Sequence, residues 1–142
     1  MRGSRWFISS VEARAFKSVG SCRLTVPFNP GLTCIVGANG SGKSNLLDAV
    51  CFACGSSPSL VGVRRLADLQ CTDLQEVCEV VVSLTNSADR RTHIIKCELA
   101  KDTGRIYRLD GKLKTGKDIK AGAAVQPACH GQQLFSCHAS PG

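Results

Sequence analysis

Apolar and polar residues alternate along two stretches near the start of the chain. Val11, Ala13 and Ala15 are separated by Glu12 and Arg14, and Cys22, Leu24, Val26 and Phe28 by Arg23, Thr25 and Pro27. A period of two belongs to a strand with one buried face, so two early strands are expected. Asn29-Pro30-Gly31 supplies turn chemistry, because proline presets φ and glycine accepts positive φ. It leads into Leu32-Thr33-Cys34-Ile35-Val36, a run expected to form a buried strand. Leu46, Leu47, Val50, Ala53 and Cys54 then recur at helical spacing in a segment ending at Gly55, a suitable left-handed cap.

Ser56-Ser57-Pro58-Ser59 opens a loop, and Arg64 to Leu69 predicts a short helical turn. The β-branched run Val77 to Leu84 and the similar stretch Thr92 to Leu99 predict two further strands. Arg105 to Leu109 leads into Asp110-Gly111, the dipeptide that best supplies two successive positive-φ residues for a tight hairpin. From Ala121 onward neither period survives. Residues 121–142 are therefore expected to be a tail without regular structure, and residues 1–120 a single domain. With 142 residues, 43% of them hydrophobic, one core can be filled; two domains would each be too small to hold without staples.

Charge and cysteine content narrow the partners. The formal net charge of +7 favours polyanions such as nucleic acid or nucleotide, and says nothing of fold. Nine cysteines are an odd number, and Met1 to Arg14 contains no apolar leader-like run, so reduced thiols and an intracellular protein are expected. No stretch approaches the roughly 20 apolar residues that span a bilayer; no membrane association is expected.

The chemistry is concentrated between the buried strand and the helix. Gly37-Ala38-Asn39-Gly40-Ser41-Gly42-Lys43-Ser44 matches G-x-x-x-x-G-K-[ST] at every fixed position and stands in the strand–loop–helix context that the mechanism requires. Glycines let the chain curl so that the amides of Asn39, Gly40, Ser41 and Gly42 point inward at phosphates, and the helix start adds its positive dipole end. Lys43 reaches the β- and γ-phosphates, and the Ser44 hydroxyl ligates Mg²⁺. Hydrolysis further needs an acid at the end of a second apolar strand and a group that orients water. Val80-Val81-Val82-Ser83-Leu84 is followed by Thr85-Asn86, and Asp110 sits on the expected turn, so neither provides that acid. No catalytic residue is assigned.

Beyond the phosphate loop, Ala15-Phe16-Lys17-Ser18-Val19, Phe28-Asn29-Pro30-Gly31-Leu32, Asn45-Leu46-Leu47-Asp48-Ala49, Phe52 and Gly55 resemble the N-terminal head segment of the structural maintenance of chromosomes (SMC) family, from about residue 7 to about residue 119. Leu66-Ala67-Asp68-Leu69, the strand ending at Asn86 and the Tyr107 to Gly111 hairpin followed by Lys112 also sit where such a head has them. The resemblance implies an α/β fold: the N-terminal lobe of an ABC-type P-loop ATPase head, completed by a C-terminal segment that a long coiled coil brings back. It implies ATP and Mg²⁺ as cofactors, with Lys17, Ser18 and Asn45 joining Gly37 to Ser44 at the nucleotide. The partners it implies are a C-terminal head lobe or a second head, and duplex DNA. The glutamine loop, signature motif and magnesium-binding acid lie beyond the matching segment. The departure after Ile119 reads as a truncated gene product, a mispredicted terminal exon or a short isoform. In a eukaryote the expected location is the nucleus and chromosome, with cohesion, condensation or DNA repair as the class of work. A non-catalytic regulatory module that pairs with a separate head lobe is the second reading, and a RecF-like repair ATPase the third.

Three weaker patterns remain. Cys51-x-x-Cys54 puts two thiols on one helix face, which packing explains more simply than redox or metal chemistry. Cys129-His130 and Cys137-His138 lack a zinc-site framework and fall in the expected tail. Arg64 and Arg65, with Arg90-Arg91 and the lysines Lys112, Lys114, Lys117 and Lys120, are candidates for contact with the backbone of duplex DNA; solvated surface is the alternative.

Overall fold

A computed structural model describes residues 5–17, 23–31, 33–37, 43–55, 77–100, 104–122 and 134–138. In chain order the elements are β1 (Trp6–Arg14), β2 (Leu24–Pro27), β3 (Thr33–Gly37), α1 (Lys43–Ala53), β4 (Cys78–Asn86), β5 (Thr92–Ala100), β6 (Gly104–Leu109), β7 (Lys112–Lys114), α2 (Gly116–Ala121) and β8 (Leu134–His138). Six strands form one antiparallel sheet in the order β2-β1-β4-β5-β6-β7, while β3 and β8 form a separate parallel pair.

Alternation builds the large sheet's inner face. In β4, Cys78, Val80, Val82 and Leu84 are buried, and in β5 Ile95, Cys97 and Leu99 face the same core. The phase changes once, in β1, where a bulge at Ser9 shifts the register between Ile8 and Ser10. One extra residue turns the strand over, so Ile8 and Val11, three apart, both enter the core. Ser9 is put to use there: its carbonyl accepts from the Phe28 amide at 2.9 Å and its hydroxyl donates to the Ser83 carbonyl at 3.1 Å.

Helix α1 covers this face with Ala49, Val50, Phe52 and Ala53, all buried. Phe52 meets Phe16 with ring centroids 5.4 Å apart. The helix ends as its sequence predicts, with Gly55 at φ +85°. Asp110 and Gly111, at φ +51° and +83°, close the β6–β7 hairpin in the expected left-handed pair. Between β4 and β5, Asn86 holds the turn: its side-chain oxygen accepts from the Ala88 amide at 2.9 Å and its backbone amide donates to the Arg91 carbonyl at 2.8 Å.

The outer face carries a row of alternating charges. Arg23 reaches Glu12 and Glu79, Lys96 bridges Glu79 and Glu98, and Arg108 closes on Glu98. Lys96 bridges what would otherwise be a like-charged cross-strand pair, Glu79 opposite Glu98. The Lys96 hydrogen bond holds the Glu98 carboxyl below the usual carboxylate range, with Arg108 adding to the pull. A carboxylate depressed in the folded state stabilises the fold above its unfolded pKa, and that contribution is lost as pH falls through the folded value. Glu98→Gln should therefore lower stability at pH 7 by about 0.2–1 kcal/mol, the usual worth of a half-exposed pair. The cost should shrink as pH falls through the folded-state value, a trend that urea midpoints measured from pH 7 down into acid will show.

Several expectations change on contact with the structure. β3 forms where expected but is not buried: Cys34 is exposed and Val36 is 67% exposed. Leu24 in β2 is likewise exposed, because β2 is an edge strand paired only to β1 among the described strands. Residues 134–138, expected to lack regular structure, form β8, since backbone pairing with β3 supplies what the local pattern does not. Helix α2 was not apparent from periodicity in a six-residue span. It is set by a capping box in which Thr115 accepts from the Asp118 amide and Asp118 accepts from the Thr115 amide, and Ile119 anchors it in the core. The expected loop at 56–59 and helical turn at 64–69 lie outside the described residues.

Candidate nucleotide site

The candidate site is built where β3 stops and α1 starts. Gly37 is the last residue of β3, and Lys43 and Ser44 are the first two of α1. The chain thus passes from strand to helix within residues 38–42, as a phosphate cradle requires. An eleven-residue helix opens toward that loop with no acidic residue in its first turn, so no acid of that turn offsets its positive end, which favours an anion. Those features fit ATP with Mg²⁺. Asn39, Gly40, Ser41, Gly42 and Ser18 lie outside the described residues, as do Arg64 and Arg65. Asn45 is half-buried in the first turn of α1.

Lys17 reaches helix α1 by an unusual backbone route. Beyond β1, Ala15 and Lys17 both have left-handed backbones, at φ +52° and +49°, on either side of the buried Phe16. Each non-glycine residue in that region costs roughly 1–2 kcal/mol, and such strain persists only where surrounding contacts demand it. Here Phe16 locks under Phe52, and the Lys17 ammonium lies 2.5 Å from Oδ2 of Asp48, in the second turn of α1. Lys17 and Asp48 are both largely shielded from water, with side chains 18% and 19% exposed. The pair ties the chain just beyond β1 to helix α1, which follows the loop. A double-mutant cycle with Lys17→Met and Asp48→Asn should return a coupling of about 1–2 kcal/mol in thermal stability, above the value for exposed pairs.

The far end of α1 is held by a residue that local pattern does not reveal. Arg105 of β6 donates from Nη1 to the Phe52 carbonyl at 3.3 Å, and its guanidinium lies 5.7 Å from the Phe52 ring centroid and 5.6 Å from that of Tyr107. α1 has no basic residue of its own in its last turn. Arg105 therefore supplies the cation that the negative end of the helix dipole favours. The contact joins residues 53 apart in sequence, so no window of the sequence shows it. Burial pushes the Tyr107 hydroxyl up to about 12, keeping it protonated beneath the arginine.

Other candidate chemistry recedes. Cys51 and Cys54 pack against the core, and burial pushes the Cys78 thiol up to about 12 and raises Cys97 as well, the reverse of what a reactive thiolate needs. No group of metal ligands occurs among the described residues. Asn86, at the end of β4, spends its side-chain oxygen on the turn rather than on a cation. Cys129 and His130 lie outside the described residues; Cys137 and His138 belong to β8. Arg91 is paired with Asp89, whereas Lys112 and Lys114 of β7 and Lys117 of α2 are exposed. No helix among the described residues is long and apolar enough to cross a membrane.

Comparison with known proteins agrees with this geometry. Residues 7–126 match the family described as RecF/RecN/SMC N terminal domain. The chain is 32% identical over 135 residues to the chromosome partition protein Smc of Pyrococcus furiosus, an overlap of 85% of this chain and 12% of that protein. It superposes on the Pyrococcus furiosus Smc head domain, solved with an extended coiled coil and bound to the C-terminal domain of ScpA. There the TM-score is 0.73 at 32% identity, over 81% of this chain and 32% of that one. A structure from work on ATP-driven dimerization and DNA-stimulated activation of SMC ATPases gives a TM-score of 0.75 at 31% identity, over 86% of this chain and 80% of that one. The fold is thus the mixed α/β N-terminal lobe of such heads, and the chain spans about an eighth of the length of the curated relative.

Proposed function

The chain belongs to the RecF/RecN/SMC N-terminal domain family, and from that premise we propose that it is an ATP·Mg²⁺-binding half-site of a chromosome-organising ATPase. The observation that carries this reading is the passage from β3 through the glycine loop into α1, whose first two residues are Lys43 and Ser44. In this reading the amides of residues 39–42 cradle the phosphates, Lys43 neutralises them and Ser44 holds Mg²⁺. Gly37 gives the turn into the loop, and Asn45, Lys17 and Ser18 border the nucleotide. The magnesium acid, signature motif and glutamine loop come from a complementary C-terminal lobe or a second head, so the half-site binds without turning over.

Duplex DNA is the further partner proposed, held by backbone contact. The outer sheet face is a poor candidate surface, because its cations Arg23, Lys96 and Arg108 are matched by Glu12, Glu79 and Glu98. Lys112, Lys114 and Lys117, with Arg64 and Arg65, are the better candidates. The proposed setting is intracellular, at the chromosome and, in a eukaryote, the nucleus, with DNA repair among the processes served. Titration of the purified chain with labelled ATP and Mg²⁺, beside a Lys43→Ala control, tests the reading. Saturable binding that depends on Lys43 supports it; absence of saturable binding supports a non-catalytic pairing module instead.

A further inference from the structure

The strand that leads into the phosphate loop has an unexpected neighbour. β8 runs parallel to β3 over five register pairs, Thr33 with Leu134, Cys34 with Phe135, Ile35 with Ser136, Val36 with Cys137 and Gly37 with His138. Among the described strands β8 is the sole partner of β3. It also lies past residue 126, where the family match ends. The strand that pairs with the phosphate-loop strand therefore lies outside the segment that the family match covers. Helix α1 lies against both members of the pair as well as against β1, β4 and β5.

The physical setting makes this pairing replaceable. Parallel sheets are normally covered on both faces and built from several strands; a lone two-stranded pair is marginal. β3 still shows an exposed Cys34 and a Val36 that is 67% exposed, the surface of a strand made for more cover than it has here. Each strand edge offers one row of N–H and C=O groups, which serves one partner at a time. The parallel direction also sets His138 opposite Gly37, at the strand end outside which ligands bind in open α/β sheets.

We propose that residues 134–138 are an intramolecular stand-in strand that occupies one edge of the phosphate-loop strand and must leave before a strand of a second lobe can pair there. The identity of the competitor rests on the half-site reading above; the pairing itself does not. The device caps an aggregation-prone edge in the isolated chain and makes assembly with a partner lobe an exchange of strands.

Native-state hydrogen exchange on the full chain, without nucleotide, tests it. In the unaltered chain the amides of β3 and β8 should show matching protection, below that of β4 and β5, because the two strands open together. Exchange of β8 at the rate of free peptide would overturn the proposal. Successive N–H groups alternate sides along a strand, so in the double variant Phe135→Pro/Ser136→Pro one of the two lost donors faces β3. Protection of β3 should fall at least tenfold while β4 and β5 keep theirs. A synthetic peptide of residues 131–142 should restore it, and the same peptide carrying both prolines should not. Unchanged β3 protection in the variant would also overturn the proposal. If the variant does not fold, the comparison of β3 with β8 in the unaltered chain decides. Failure of ATP binding leaves this result standing, and loss of the pairing leaves the nucleotide reading standing.

Discussion

Lys43→Ala should weaken ATP·Mg²⁺ binding by about 10- to 100-fold and leave the thermal transition of the chain without ligand where it was. A charge-assisted hydrogen bond to phosphate is worth about 1.5–3 kcal/mol, and each 1.4 kcal/mol is about a factor of ten in affinity. The fold should tolerate the change, because position 43 opens α1 and alanine has the best helix propensity. Isothermal titration of both proteins, with melts recorded in the absence of nucleotide, separates the two effects. An equal loss of stability and affinity would mean that Lys43 acts through folding rather than through phosphate contact.

Phe52→Ala should have the largest effect on stability. Its ring is fully buried, packs on Phe16 and lies under the Arg105 guanidinium. Removing a buried phenylalanine costs about 3–5 kcal/mol, from lost transfer energy and the cavity left behind. A domain of this size has only about 5–15 kcal/mol in hand. The melting temperature should fall by on the order of 10–20 °C. The same substitution removes the surface against which Phe16 holds Lys17 in its left-handed turn, so nucleotide affinity should fall along with stability. Differential scanning calorimetry checks the first effect and titration at a temperature where the variant remains folded checks the second.

Much of the fold was legible because local pattern and tertiary demand agree. The alternation in β4 and β5, Asp110-Gly111 in the hairpin and Gly55 behind α1 each state a backbone requirement in a few adjacent residues. The phosphate loop is legible for the same reason, since its glycines, lysine and serine are contiguous. Arg105 and the Lys17–Asp48 pair were not assigned from pattern, because each joins segments that only the folded chain brings together. The bulge at Ser9 hides in an otherwise regular run, and no composition marks it. The burial expected of β3 failed for a related reason: an apolar run reports what a strand is suited to pack against, and says nothing of whether that cover is supplied by the same chain. β8 is the converse case, a strand whose warrant is an available edge rather than its own periodicity.

In the proposed reading this lobe holds nucleotide as a half-site and does not turn it over alone. Release of labelled phosphate, followed at saturating ATP and Mg²⁺ over many hours beside the Lys43→Ala variant, tests it most directly. Saturable binding with no release above the variant's background is expected, because β4 ends on Asn86 rather than on an acid and that side chain is engaged in the turn. Sustained release that disappears with Lys43→Ala would contradict it and show that one chain carries a complete catalytic site.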